Sequence, residues 1–191
     1  MHDQDTAREL LRAAEAIAAA EGPDGVTVRR VADAAGVSVR AVYSLYGSKD
    51  GLLIALGRRA FEMLGDGVRA LPETDDPAAD LVAAGVSVFR RFAVEHPSLF
   101  RIGVQNVGIA PEVVGQFAPA ARAALVHLRA RVTRALGCEA PAATLQFHAL
   151  CEGLAAVELA CMLAAEEAEQ VWHDGLAALV TGLRARHTPS G

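Results

Sequence analysis

Two short stretches with apolar residues at helical spacing, joined through one glycine, constrain this chain more than any other feature: residues 27–53 read TVRRVADAAGVSVRAVYSLYGSKDGLL. Val28, Val31, Ala32 and Ala35 share one face of a first helix, with Thr27 placed as its N-cap. Gly36 ends it, because a glycine adopts the left-handed conformation of a helix terminus without steric cost. Ser38 caps a second helix through about Leu45, with Val37 and Val42 turned toward a small core. Ser48 caps a third and longer one carrying Leu52, Leu53, Leu56 and Met63. Two helices of about seven or eight residues around a glycine-containing turn are the helix-turn-helix pattern, whose second helix enters the major groove of DNA.

The helical period persists in both directions. Leu10, Ala14, Ile17 and Ala18 predict a first amphipathic helix that stops at residues 21–25, EGPDG. An acidic linker, LPETDDPAAD at residues 71–80, is followed by a helix to about His96 and a break at HPSLF. A short helical or irregular piece then runs to Asn106, and further helices are expected from near Pro119 to Leu136, from about Ala140 to Leu163 and from Glu167 to Arg186. No strand alternation and no internal repeat interrupts them. The expected fold is therefore all-α, with about nine helices: a three-helix DNA-binding domain with the helix-turn-helix, then a larger helical domain. The expected boundaries are 1–48 for the DNA-binding domain, 49–72 for a connecting helix, 73–187 for the C-terminal domain and 188–191 for a disordered tail.

The chain has 191 residues and a formal net charge of -5, so any contact with a polyanion must come from a local patch. Between Thr27 and Lys49 stand Arg29, Arg30, Arg40 and Lys49 against Asp33 alone. Cys138, Cys151 and Cys161 are odd in number, and the last two, read as parts of one helix, are about 15 Å apart along its axis, too far to bridge. This reading and the lack of a basic-then-apolar leader predict a reduced, cytoplasmic setting with no membrane partner. The longest apolar run is broken by Glu158 and too short to span a bilayer.

Ser38, Val39 and Arg40 occupy the leading turn of the second helix, where unpaired N–H groups and the positive dipole end favour phosphate. Arg40 is suited to the O6/N7 edge of guanine, a contact of roughly 1–3 kcal/mol in discrimination. The stretch resembles the DNA-binding domain of the TetR family of bacterial transcription regulators, with the pattern T-x-x-x-I-A-x-x-A-G-V-S-x-x-x-L-Y-x-H-F-x-S-K-E-x-L. Thr27, Val31-Ala32, Ala35-Gly36-Val37-Ser38, Val42-Tyr43, Tyr46, Ser48-Lys49-Asp50 and Leu52 stand in matching register. Val42 replaces a leucine, and Leu45 stands where a polar residue is common. The resemblance implies that Thr27 and Tyr43 donate to phosphates, that Lys49 meets the DNA backbone, and that Tyr46 plugs the small domain. The expected DNA-binding set is Thr27, Arg29, Ser38, Val39, Arg40, Tyr43, Ser44 and Lys49.

The resemblance further implies a helical C-terminal domain that dimerises and encloses a small-molecule pocket. Phe89, Phe92, Phe100, Val104, Phe117, Leu125, Leu128, Phe147 and Leu150 are the candidate lining, although the same residues describe a dry core. Gln105, Asn106, His127, Gln146, His148 and Glu152 are candidate polar partners for a ligand. For the dimer interface the small residues Gly153, Ala156 and Ala160 let another helix approach, while Val157, Leu176, Leu179, Val180 and Leu183 supply apolar area. Two recognition helices spaced by one turn of duplex also require a dimer on a palindromic operator. His148, Cys151 and Glu152 share a helical face, but without a companion pair at ligand spacing they predict no metal, and no cofactor is expected. No Ser-His-Asp register, paired-carboxylate motif or phosphate loop supports an enzyme. The expected function is a dimeric transcription regulator, a repressor released from its operator by a small molecule. The alternatives are a DNA-binding regulator with a closed core and no effector, and a helical enzyme.

Overall fold

Each break in the apolar period becomes a helix end in the computed structural model, which describes residues His2–His187. The expected tail, 188–191, lies outside the described residues. The helices are α1 (His2–Glu21), α2 (Val28–Ala34), α3 (Val39–Tyr46), α4 (Lys49–Ala70), α5 (Pro77–Ala83), α6 (Arg91–Glu95), α7 (Pro97–Leu99), α8 (Pro111–Leu136), α9 (Pro141–Leu159) and α10 (Ala165–His187). A short 3-10 turn, Pro23–Gly25, follows α1. Two π-helical segments, Ala84–Arg90 between α5 and α6 and Phe100–Val104 after α7, run on without interruption, so the described residues form nine helical runs and no strand.

The short helices of the amino-terminal region are fixed by their caps. Thr27 Oγ1 accepts from the Arg30 amide at 3.3 Å, Ser38 Oγ from Ala41 at 3.2 Å and Ser48 Oγ from Gly51 at 3.1 Å. Each bond satisfies one of the donors that a helix start leaves unpaired. Gly36 reverses the chain between α2 and α3 with φ 67°, and the Val37 amide returns to the Ala32 carbonyl at 3.0 Å.

Packing groups the residues into two compact units. The first takes the chain up to Phe61 together with His96–Ala121; the second takes Glu62–Glu95 and the chain from Arg122 onward. Leu10, Ala14, Val31, Val42, Leu52, Leu56, Leu99, Phe100 and Phe117 are buried in the first. The core of the second is drawn from Leu81, Phe89, Phe92, Leu128, Val132, Phe147, Cys151, Trp172, Leu176, Val180 and Leu183.

Polar contacts finish the second unit. The buried Arg131 donates to the carbonyls of Val68, Leu71 and Pro72 at 3.0, 2.5 and 3.3 Å, closing the C-terminal end of α4. Beside it Asp80 accepts from the Thr74 amide and hydroxyl and from Arg134 at 2.8, 2.7 and 2.6 Å, which ties down the acidic linker. Glu158 takes a two-pronged contact from Arg90, at 2.9 and 3.2 Å, and the Trp172 indole N–H at 2.8 Å.

Three expectations are corrected. Pro119 lies inside α8, which begins eight residues earlier at Pro111. Gly115 and Pro119 are both exposed, so water can serve the carbonyl that the proline leaves unpaired. The helix α9 stops at Leu159, short of the expected Leu163, because the chain turns through Cys161 in the left-handed region at φ 56°. Cys151 and Cys161 are therefore not on one helix; the first is buried, the second exposed, and both are free.

Candidate nucleic-acid interface

The eight-residue α3 divides sharply between inside and outside. Val42 is fully buried, and Tyr46 lies half-buried with its hydroxyl donating to the Ala7 carbonyl at 2.9 Å, a contact that ties α3 to α1. Burial raises the Tyr46 phenol above its ordinary value and keeps it a neutral donor. Val39, Arg40, Tyr43 and Ser44 are exposed, and their spacing puts them on one helical stripe. Tyr43 is 55% exposed and Leu45 37%.

The other expected DNA contacts flank this stripe. Thr27 and Arg29 are exposed at the start of α2, and Ser38 is exposed at the start of α3. Lys49 is the first residue of α4; its ammonium lies 3.4 Å from the Asp24 carbonyl and 3.7 Å from the Asp24 carboxylate. Arg30 faces the turn before α2, where it pairs with Glu21. That pair was not legible in the sequence, because the partners stand nine residues apart across a turn that no helical period relates.

The candidate pocket residues are divided between the two compact units. Phe100, Val104 and Phe117 belong to the first compact unit; Phe89, Phe92, Leu125, Leu128, Phe147 and Leu150 belong to the second. Phe61 and Phe117 are in contact with ring centroids 6.2 Å apart, and Phe89 packs edge-on against His148 at 5.5 Å and beside Trp172 at 6.4 Å. In the second unit a groove of about 580 Å³ runs between α5 and α10, floored by Val82, Val86 and Val180 and edged by Glu169 and Arg184. None of the candidate lining residues borders it.

The candidate dimer set splits by burial. Gly153 and Ala160 are exposed, and Ala156, Val157 and Leu179 are half-buried. Leu176, Val180 and Leu183 are at most 2% exposed, so the structure places them in the chain's own core, where they offer no surface to a partner. The reason is the width of the apolar stripe on α10, whose inner edge lies against α5 and α9.

His148 stands 4.0 Å from Glu152, and burial pulls the imidazole below its ordinary value while the neighbouring carboxylate opposes the shift. Burial pushes the Cys151 thiol well up. Among the described residues no group of three or more His, Cys, Asp or Glu is arranged to hold a metal, and no helix is long and apolar enough to cross a membrane.

Residues 10–56 match the family model of bacterial regulatory proteins, tetR family. No curated protein sequence matches the chain. A solved structure of a protein of unknown function from Rhodococcus sp. RHA1 is similar over 94% of this chain and 95% of that one, with 26% identity and a TM-score of 0.80. The TetR family transcriptional regulator PfmR from Thermus thermophilus is similar over 90% of this chain and 97% of its own, at 20% identity and a TM-score of 0.68. The transcriptional regulator FadR from Bacillus subtilis, in complex with stearoyl-CoA, is similar over 92% and 98%, at 15% identity and a TM-score of 0.73. The likeness to PfmR and FadR extends the fold along about nine-tenths of the chain, while the family match lies on the helices that carry the exposed stripe.

Proposed function

We propose, from the premise that residues 10–56 are a DNA-binding domain of the tetR family of bacterial regulatory proteins, that the chain is a dimeric, ligand-responsive regulator of transcription, a repressor released by a small molecule. The observation that carries this reading is the exposed stripe Val39, Arg40, Tyr43 and Ser44 on a capped α3, inside the segment that matches the family. Arg40 reads a guanine edge, Thr27, Arg29, Ser38 and Tyr43 hold the phosphates on either side, and Lys49 reaches a phosphate only by leaving Asp24. Residues 1–48 serve as the DNA-binding part, 49–72 as the connecting helix and 73–187 as the effector and dimerisation part.

The dimer forms through the outer faces of α9 and α10, where Gly153, Ala156, Val157, Ala160 and Leu179 remain accessible. An effector acts by preferring one of two arrangements of the paired recognition helices; a difference in affinity worth about 1–3 kcal/mol is typical of such coupling. The FadR complex supports a small-molecule effector by analogy of fold. Operator selection from random duplexes, followed by a screen for molecules that release the selected operator, tests the reading. Failure to enrich any sequence rejects it.

The second reading, a regulator with no effector, is favoured by the burial of Phe89, Phe92, Phe100, Phe117 and Phe147. A thermal-shift screen separates the two: a stabilising small molecule that also releases DNA supports the first, and release by none supports the second.

A further inference from the structure

The amino-terminal unit treats its cations in two ways. Among the described residues Arg29 and Arg40 stand exposed without an ion-pair partner, whereas Arg30 is held by the Glu21 carboxylate at the end of α1 and Lys49 lies against the carbonyl and the carboxylate of Asp24 in the turn after it, at 3.4 and 3.7 Å. Arg30 Nη1 donates to Glu21 Oε2 at 2.6 Å and to the Gly25 carbonyl at 3.1 Å, and Nη2 donates to Glu21 Oε1. The hydrogen bond from Arg30 holds the Glu21 carboxyl below its ordinary range, and Glu21 in turn raises the guanidinium.

Glu21 is the last residue of α1, at the helix end whose dipole disfavours a carboxylate. Arg30 offsets that placement. Gly25 leaves room for the pair: a Cβ there would fall 2.7 Å from Glu21 Cβ and 3.4 Å from Arg30 Nη1. The second carboxylate, Asp24, is 96% exposed and pairs with the Lys49 ammonium 3.7 Å away, which also donates to the Asp24 carbonyl at 3.4 Å, a contact that Asp24→Asn leaves in place. Residues 21–50 hold Arg29, Arg30, Arg40 and Lys49 against Glu21, Asp24, Asp33 and Asp50, so the net +3 counted over residues 27–49 falls to +1 once this turn is included and to zero with Asp50 at the start of α4.

We propose that Glu21 and Asp24 are internal competitors for DNA phosphate: they keep Arg30 and Lys49 occupied and so weaken binding to duplex of every sequence, leaving discrimination to the exposed stripe of α3. A phosphate contact carries no sequence information, so suppressing two of them lowers the hold on random DNA without altering the base preference. The inference rests on the DNA-binding reading above, and it makes Glu21 and Asp24 positioning residues that act through the two cations.

The test is the salt dependence of binding to a short random-sequence duplex and to a selected operator, for the full chain and for Glu21→Gln, Asp24→Asn and the control Asp75→Asn. Asp75 carries the same charge in the acidic linker, exposed and without a partner among the described residues. Each of the first two substitutions is expected to steepen the plot of log affinity against log salt by about 0.9, an extra change of about 3.5-fold between 50 and 200 mM salt. The ratio of operator to random affinity stays constant, and Asp75→Asn leaves the slope alone. Asp24→Asn guards against loss of fold, since its side chain supports no core. Unchanged slopes in both variants, or an equal change in Asp75→Asn, overturn the proposal. A wild-type chain that binds no duplex at any salt overturns the DNA-binding reading beneath it.

Discussion

In the proposed reading of the chain as a DNA-binding regulator, Arg40 is the residue that sets sequence preference. It extends from the leading turn of α3 with no partner among the described residues, so nothing in the free protein competes with a base edge for its guanidinium. Arg40→Ala is expected to cost roughly 1–3 kcal/mol on the preferred operator and to relax one position of the site. A random-site selection checks it; an unchanged consensus rejects the base contact. Glu158 governs stability in the same single-residue way. It is the shared acceptor of Arg90 and the Trp172 indole in a site where the two charged side chains are 20% and 13% exposed. Glu158→Ala is expected to destabilise by about 2 kcal/mol, because it leaves the Trp172 N–H without its acceptor and Arg90 with only the exposed Glu169 at 3.5 Å. Denaturant unfolding measures it, and joint replacement of Arg90 and Glu158 by apolar residues should recover most of the loss. The residues of the α3 stripe were legible because helix spacing and the family pattern both name them. Glu158 was not, since its partners come from the π segment and from α10, and residue spacing carries no sign of contacts between distant segments.

At the scale of elements, caps and apolar periods carry most of the information. Thr27, Ser38 and Ser48 each sit where a helix begins, and Gly36 sits where the chain turns back. Proline is more ambiguous: Pro119 favours a first turn, yet an exposed proline within a long helix leaves only a solvated carbonyl. An acidic linker is ambiguous too, since its composition suggests a boundary while its Asp80 is a buried anchor. Hydrogen bonds from the Thr74 amide and hydroxyl, followed by Arg134, bring the Asp80 carboxyl down from 3.8 to about 2. Because the folded value lies below the unfolded one, the contribution is fully present above about pH 4 and is lost as the pH falls toward 2. Asp80→Asn should therefore lower the melting temperature at neutral pH and flatten its decline between about pH 4 and 2. Parallel melting curves against pH decide this; equal steepness in both proteins removes Asp80 from the acid response.

For the whole molecule the open question is what α9 and α10 present to a second copy. The sequence marks one apolar surface on the two helices, and burial divides it into an inner edge of Leu176, Val180 and Leu183 and an outer edge that includes Gly153 and Leu179. A hydrophobic stripe records that a side chain avoids water, without saying whether its own chain or a partner shields it, so only coordinates could separate the two. The division gives two substitutions on these helices opposite outcomes. A Cβ at Gly153 meets nothing within 4 Å, so Gly153→Asp fits the single chain and places a charge only where a partner would lie. The variant is expected to keep its helical signal and melt normally as a monomer, and to bind operator more weakly by the loss of a second, linked recognition helix. Leu176→Asp buries an unpaired charge in the chain's own core and is expected to unfold the chain, by several kcal/mol. Sedimentation and circular dichroism on both variants read the result. A folded Gly153→Asp dimer would move the interface off this face, while a folded, monomeric Leu176→Asp would show that the leucine shields a partner instead of its own chain.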